Sequence, residues 1–211
     1  MAIDRDATLK WMSLFADAMS EHRQALVRLD TAIGDGDHGA NMDRGMQKVV
    51  EKLADTEQAD AGAALKTVAM TLISTVGGAA GPLYGTLFLQ LGSALAGHDH
   101  VELPGYAAAW RRAVEGVQAR GKAIPGDKTM VDALLPAVEA LEDATEFDTG
   151  LRAAATAAEQ GMHATTPLVA RKGRASYLGE RSAGHQDPGA TSSYYLMKTA
   201  AEAFADQSAV G

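Results

Sequence analysis

Apolar residues recur at intervals of three and four along nearly the whole chain, a period that helices packed on helices satisfy and β-structure does not. Leu65, Val68, Ala69, Leu72, Ile73 and Val76 follow the i, i+3, i+4, i+7 pattern, as do Met42, Met46, Val49, Val50 and Leu53. Trp11, Met12, Phe15 and Met19 make a further stripe, with Asp6 as its expected N-cap. Tyr106, Trp110, Val114 and Val117 follow Pro104 and stop at Gly121, and Val131, Leu134, Leu135, Val138 and Leu141 run through Pro136, where a kink is expected. Leu151, Ala155, Ala158 and Met162, then Leu196, Met197, Ala200 and Phe204, complete the set, and no alternating run exceeds a few residues. The expected helices are 6–20, 21–33, 39–54, 60–76, 80–97, 104–120, 128–144, 149–164 and 189–206, the first two readable as one broken helix. The chain is therefore expected to be all-α, a single domain over 1–211 with its helical core from 6 to 206. Short connections predict antiparallel neighbours. The exception is 165–188, a loop long enough to be a lid.

Composition narrows the function. Aromatic residues make up only 5% of the 211, so Ala, Leu, Val and Met must build the core. With 19 basic and 27 acidic side chains the net charge is −8, which disfavours a nucleic-acid or anionic-membrane surface. The absence of cysteine excludes disulfides, thiolate metal sites and cysteine nucleophiles. No basic leader with an apolar run opens the chain, and no stretch has the length of a membrane span, so a cytoplasmic protein is expected.

The segment from Asp30 to Asn41 brings Asp30, Asp35, Asp37 and His38 together among Gly34, Gly36 and Gly39. Carboxylates so crowded repel one another, and a hard cation such as Mg²⁺ would relieve them. An EF-hand loop from Asp35 fails, because Gly39 and Met46 stand where ligands are required. A dinucleotide fingerprint fails too, because the preceding residues are helical and the aspartates would repel a pyrophosphate. Two readings stay open: an Asp-Gly turn that caps the next helix, or a metal site with His38 and Asn41 at a helix N-terminus that favours phosphate.

Three other segments carry related chemistry. Val76 to Thr86 is rich in small residues and has Pro82 near a helix start, which suits either close ligand approach or tight helix packing. Gly121 to Met130 nearly spells a Walker A loop, but Asp127 separates Gly126 from Lys128 and no strand leads in, so a P-loop is excluded. A ligand-contacting loop and a plain helix cap at Asp127 both fit what is left. The stretch 170–190 holds Arg171, Lys172, Arg174 and Arg181 and ends on Asp187 as a cap with Pro188 at the first helical position. It is either a solvated charged face or an arginine-bearing lid over a phosphate. Acids for Mg²⁺, glycine-rich helix starts and an arginine loop together suit phosphoryl transfer, in which a protein mainly positions groups and neutralises charge.

In their order along the chain, 29–46, 74–86, 121–132 and 170–193 resemble the nucleotide-binding L subunits of dihydroxyacetone kinases, the DAK2-type family. That resemblance implies a closed barrel of about eight antiparallel amphipathic helices, with the nucleotide in the loops at one end. It implies two Mg²⁺ ions on Asp30, Asp35 and Asp37, with Arg174 completing the clamp on the phosphates. It further implies an ADP or ATP lined by His38, Gly39, Ala40, Asn41, Ala79, Ala80, Gly121, Met130, Arg174, Asp187, Pro188 and Gly189, with Ala80 standing where similar chains have serine. In the family a separate K subunit holds the ketone covalently through a histidine. A phosphohistidine M subunit of the phosphotransferase system recharges the bound ADP from phosphoenolpyruvate. ATP-dependent forms fuse K and L in one longer chain, so the length here suits the phosphoenolpyruvate form. Alternatives are another short ketose such as erythrulose or a lipid carboxylate as acceptor, or a non-catalytic adaptor that signals nucleotide state to a transcription regulator.

Overall fold

The computed structural model describes residues 3–98 and 101–205. Position 206 of the last expected helix, and Met1 and Ala2 of the expected leaderless start, lie outside them. Among the described residues nine α-helices follow one another: α1 (Arg5–Glu21), α2 (Arg23–Ile33), α3 (His38–Asp55), α4 (Ala61–Thr75), α5 (Ala80–Leu95), α6 (Leu103–Gly121), α7 (Val131–Glu142), α8 (Phe147–Ala164) and α9 (Pro188–Ala205). Helices α1 and α2 are the broken helix that the sequence suggests, interrupted at His22. The N-cap of α1 is Asp4, whose carboxylate accepts the Ala7 N–H at 2.8 Å; Asp6, the expected cap, lies in the first turn instead. The long loop is not structureless, since a 3-10 segment spans Arg174–Ser182.

Helix neighbours close a ring. α1 packs on α3, α3 on α4, and so on through α8 to α9, which returns to α1. Each helix turns one apolar stripe inward, and the stripes merge into a single core reaching from Ile3 to Phe204. At its centre Trp11 of α1 has ring centroids 6.0 Å from Phe88, 6.0 Å from Trp110 and 5.8 Å from Phe204, so one side chain joins α5, α6 and α9. Its indole N–H donates to the Leu196 carbonyl at 3.1 Å, which satisfies the polar end of a buried aromatic.

Close approach of the helices depends on residues without side chains. A β-carbon on Gly62 would strike the backbone of Ala96, and one on Gly85 would strike Ile73, so α4 and α5 need both glycines. Helix α7 continues through Pro136. Proline offers no N–H to the carbonyl of Asp132 four residues earlier, and that carbonyl lies where a β-carbon of Gly161 on α8 would sit. Pro136 and Gly161 thus serve one contact.

Because successive helices alternate in direction, the connections α2–α3, α4–α5, α6–α7 and α8–α9 gather at one end of the barrel. Among the described residues no helix is long and apolar enough to cross a membrane. Replacing Trp11 by Ala removes the shared central ring and leaves a cavity, with an expected cost of about 3–5 kcal/mol. Urea unfolding followed by circular dichroism reads this directly, and a loss below about 1 kcal/mol would mean that the ring does not close around Trp11.

Candidate functional site

Asp30 lies buried in the last turn of α2. Its Oδ2 accepts the N–H of Asp37 at 2.8 Å and of His38 at 3.0 Å, the amides that open α3. A helix start needs such acceptors, and here the preceding helix supplies them. Asp37, at the N-cap position of α3, makes no side-chain cap bond, and its carboxylate stays free. Asp30 Oδ1 is free as well, and a β-carbon on Gly34 would occupy its place, so the turn requires glycine there.

One carboxylate oxygen from each of Asp30, Asp35 and Asp37 lies within 4.8 Å of the others. Three anionic oxygens at that spacing, with neither sulfur nor nitrogen among them, fit a hard divalent cation of the Mg²⁺ type. The guanidinium of Arg174, reaching over from the 3-10 segment, is 3.0 Å from Asp35 Oδ2. With the Arg174 side chain 66% exposed and that of Asp35 35% exposed, such a pair contributes about 0–1 kcal/mol. Exchanging Arg174 for a bound cation at Asp35 therefore costs little.

All four connections contribute to one cavity of about 750 Å³, within the usual size range of small-ligand sites. Of the residues expected from sequence, Asp30, Asp35, Asp37, His38, Asn41, Ala79, Ala80, Gly121, Met130, Arg174, Asp187, Pro188 and Gly189 all line it. Gly39 and Ala40 stand behind the wall, and a β-carbon on Gly39 would strike the Arg23 carbonyl of α2. The side-chain oxygen of Asn41 accepts from Arg44 at 2.7 Å, which leaves the amide NH₂ to donate. The small-residue segment divides between its two readings: Gly77 to Ala80 line the cavity, whereas Gly81 and Gly85 serve packing. Leu83, Val117, Met130 and Val131 add apolar lining to the same cavity.

Sequence reasoning missed what supports these walls. Lys128 is buried, with its backbone in the left-handed region at φ 64°. Its ammonium donates to the carbonyls of Thr165 at 2.9 Å, Leu168 at 3.1 Å and His185. These are the two roots of the α8–α9 loop, so Lys128 is a clasp and has no donor left for a phosphate. Asp127 caps no helix; its carboxylate closes the α6–α7 turn on the Ile124 N–H at 2.9 Å, and α7 starts at Val131, three residues later than expected. The near-Walker string had marked the place without its role. The loop is further held by Gly184 N–H to the Thr166 carbonyl at 2.8 Å and Ala170 N–H to Ser182 at 2.8 Å. Only its tip, with Lys172, Arg174 and the 87% exposed Tyr177, projects over the cavity.

A family model described as the DAK2 domain matches residues 32–202. The chain belongs to the DAK2-domain family. It is 46% identical over 202 residues to the PEP-dependent dihydroxyacetone kinase, ADP-binding subunit DhaL, of Escherichia coli K12, covering 94% of this chain and 96% of that one. It is 37% identical over 193 residues to a D-erythrulose kinase of Mycolicibacterium smegmatis, spanning 89% of this chain but 33% of that protein. Among solved structures, the native dihydroxyacetone kinase of C. freundii superposes with a TM-score of 0.74 at 25% identity. It matches 92% of this chain, which spans about a third (34%) of that one. The same enzyme in complex with AMP-PNP and Mg²⁺ gives a TM-score of 0.71 at 24% identity and shares the fold. The all-α ring is thus the fold of the family.

Asp187 of this DAK2 chain is buried at the start of α9, where its Oδ2 caps the Ala190 N–H at 2.7 Å. Burial pushes its carboxyl up to about 7, with Asp132 and Asp30 adding to the rise and the Ala190 N–H and Lys128 opposing it. The folded chain therefore keeps a proton that the unfolded chain releases near 3.8. The stability that this proton confers is full below about pH 4 and is lost as pH rises towards 7. Asparagine caps as well and carries no charge. Thermal unfolding without ligands at about pH 5 and about pH 8 should show a smaller drop for Asp187→Asn than for the parent. Equal drops would place the titration elsewhere.

Proposed function

We propose that this chain is the ADP-binding subunit of a dihydroxyacetone kinase of the phosphoenolpyruvate-dependent kind. In this reading it binds ATP and Mg²⁺ in the barrel-end cavity and passes the γ-phosphate to dihydroxyacetone held on a separate K-type subunit. A phosphohistidine-carrying M-type subunit then rephosphorylates the ADP in place, in the cytosol. What carries the reading is one cavity that holds three converging carboxylates, a helix N-terminus and Arg174, in a chain 46% identical to an ADP-binding subunit over almost its whole length.

The roles follow from charge. Asp30, Asp35 and Asp37 would hold the Mg²⁺, two ions in this reading, whose contribution when bound is to neutralise the phosphates. The positive dipole end of α3 favours phosphate although its first two amides are held by Asp30, and Asn41 adds an NH₂ donor. Arg174 leaves Asp35 and bonds a phosphate oxygen, a charge-assisted contact stronger than the exposed pair it gives up. The apolar lining made by Leu83, Val117 and Met130 takes the base. The erythrulose kinase relative matches this chain over a third of its own length, and the rest of it has no counterpart here. In this reading the choice of ketose belongs to the K-type partner.

Mass spectrometry of the protein as purified should find bound ADP. With K-type and M-type partners, phosphoenolpyruvate should drive phosphorylation of dihydroxyacetone faster than added ATP does. The absence of any Mg²⁺-dependent adenine nucleotide binding would overturn the reading. Asp35→Asn and Asp37→Asn should each lower turnover by about 100-fold or more while ligand-free thermal stability is kept or raised, since each removes repulsion. Turnover within about tenfold of the parent would sink the metal assignment.

A further inference from the structure

Helices α3 and α4 approach closely at Gly45, where an added β-carbon would strike Val76 and Leu72. The approach brings the last carbonyl of α4, that of Thr75, beside Arg44 of α3. One nitrogen of Arg44, Nη2, lies 2.7 Å from Asn41 Oδ1 in its own helix and 3.4 Å from the Thr75 carbonyl, 31 positions along the chain. Nη2 carries two hydrogens, one for each acceptor, and the second contact is the weaker. The neighbouring Asp43 turns instead to Ser20 and Arg23. Among the described residues no carboxylate pairs with the Arg44 guanidinium.

The direction of the shorter bond is fixed by chemistry. A guanidinium has only donors and a carboxamide oxygen only accepts, so Arg44 cannot face the Asn41 nitrogen. Asn41 is buried and lines the cavity. Its Nδ2 lies against the loop that follows α4, 3.5 Å from where a β-carbon of Gly77 would sit. The two ends of a carboxamide are nearly equal in size, so packing alone does not tell them apart and the hydrogen-bond partners decide. Without Arg44 the side chain is free to turn over and present an oxygen, which repels an anion. A charged donor on the oxygen also polarises the amide and strengthens its N–H groups. The Thr75 contact ties the same guanidinium to the root of the loop whose Gly77 to Ala80 line the cavity. Helix α4 has no basic residue in its own last turn, and a carbonyl at that position has no helical partner.

We infer that Arg44 is a positioning residue for the phosphate end of the site. From outside the cavity it locks the Asn41 carboxamide with the NH₂ towards the ligand and the oxygen away from it. This rests on the reading of the cavity as a nucleotide site. Arg44 is not one of the lining residues, so its influence on a ligand passes through Asn41. The side chain is exposed, and folding gains little from it.

Arg44→Met keeps the aliphatic stem and removes every donor. In the full chain, titration calorimetry should show the Kd for ADP with Mg²⁺ rising about threefold to tenfold, while ligand-free thermal unfolding stays close to the parent's. Asn41→Ala should weaken binding at least as much. Adding Arg44→Met to Asn41→Ala should then change nothing further, because the group it acts through is gone. Effects that multiply in the double variant would overturn the inference, as would an unchanged Kd in Arg44→Met. The orientation itself is read without ligand. Nuclear Overhauser contacts should join the Asn41 side-chain NH₂ to the Gly77 α-hydrogens in the parent and weaken in Arg44→Met, and their absence from the parent overturns the inference as well. A parent that shows these contacts, loses them in Arg44→Met and yet binds no ADP would strike the nucleotide reading instead.

Discussion

The working end of this barrel depends on how one carboxylate is divided. Asp30 gives one oxygen to the first amides of α3 and leaves the other bare. Hydrogen bonds to a charged acceptor contribute about 1.5–3 kcal/mol each, so the bonded oxygen fixes the angle at which α3 leaves the turn. That in turn sets Asp37, His38 and Asn41 around the cavity. Because Asp30 does the capping, Asp37 need not, and its carboxylate is released to join the cluster. Gly34 lets this happen by leaving room beside Asp30.

The far side of the cavity is held by the opposite chemistry. There a cation, Lys128, is spent on backbone carbonyls at both roots of the α8–α9 loop. A buried ammonium is costly unless each of its hydrogens has an acceptor, and these carbonyls meet that need. The loop is therefore fixed at its base, and its 3-10 segment rests on α2 through Ala175 and Ile33. Arg174 on that segment, paired weakly with Asp35, can change partner while the base stays in place. Firm roots and an exchangeable Arg174 fit the proposed nucleotide site.

Much of the fold was legible in the sequence, and the misses have physical causes. Helix periods are local, so all nine helices were found, with errors of a few residues where caps decide the ends. Asp4 rather than Asp6 begins α1 because its extended backbone lets the carboxylate turn back to Ala7, which the pattern of apolar residues does not report. Helix α7 starts late because Lys128 takes a left-handed backbone and Asp132 holds the amides of Gly126 and Thr129. The acidic cluster was legible because its members lie within one turn of chain, and crowded carboxylates imply a cation at any level of structure.

The bridge that Arg44 makes between Asn41 and Thr75 had no such signature. Its longer arm joins residues 31 positions apart, and an arginine on an exposed helix face looks like an ordinary solvated charge. The same holds for Lys128, whose partners lie 37 to 57 residues away. By itself the sequence determined the helices, their order and the acidic turn, because each follows from neighbours along the chain. Only the tertiary structure decided which lysine is a clasp, which glycines serve packing and which the site, and what orients Asn41. Those roles depend on where the closed ring brings distant helices together, and no local period encodes that.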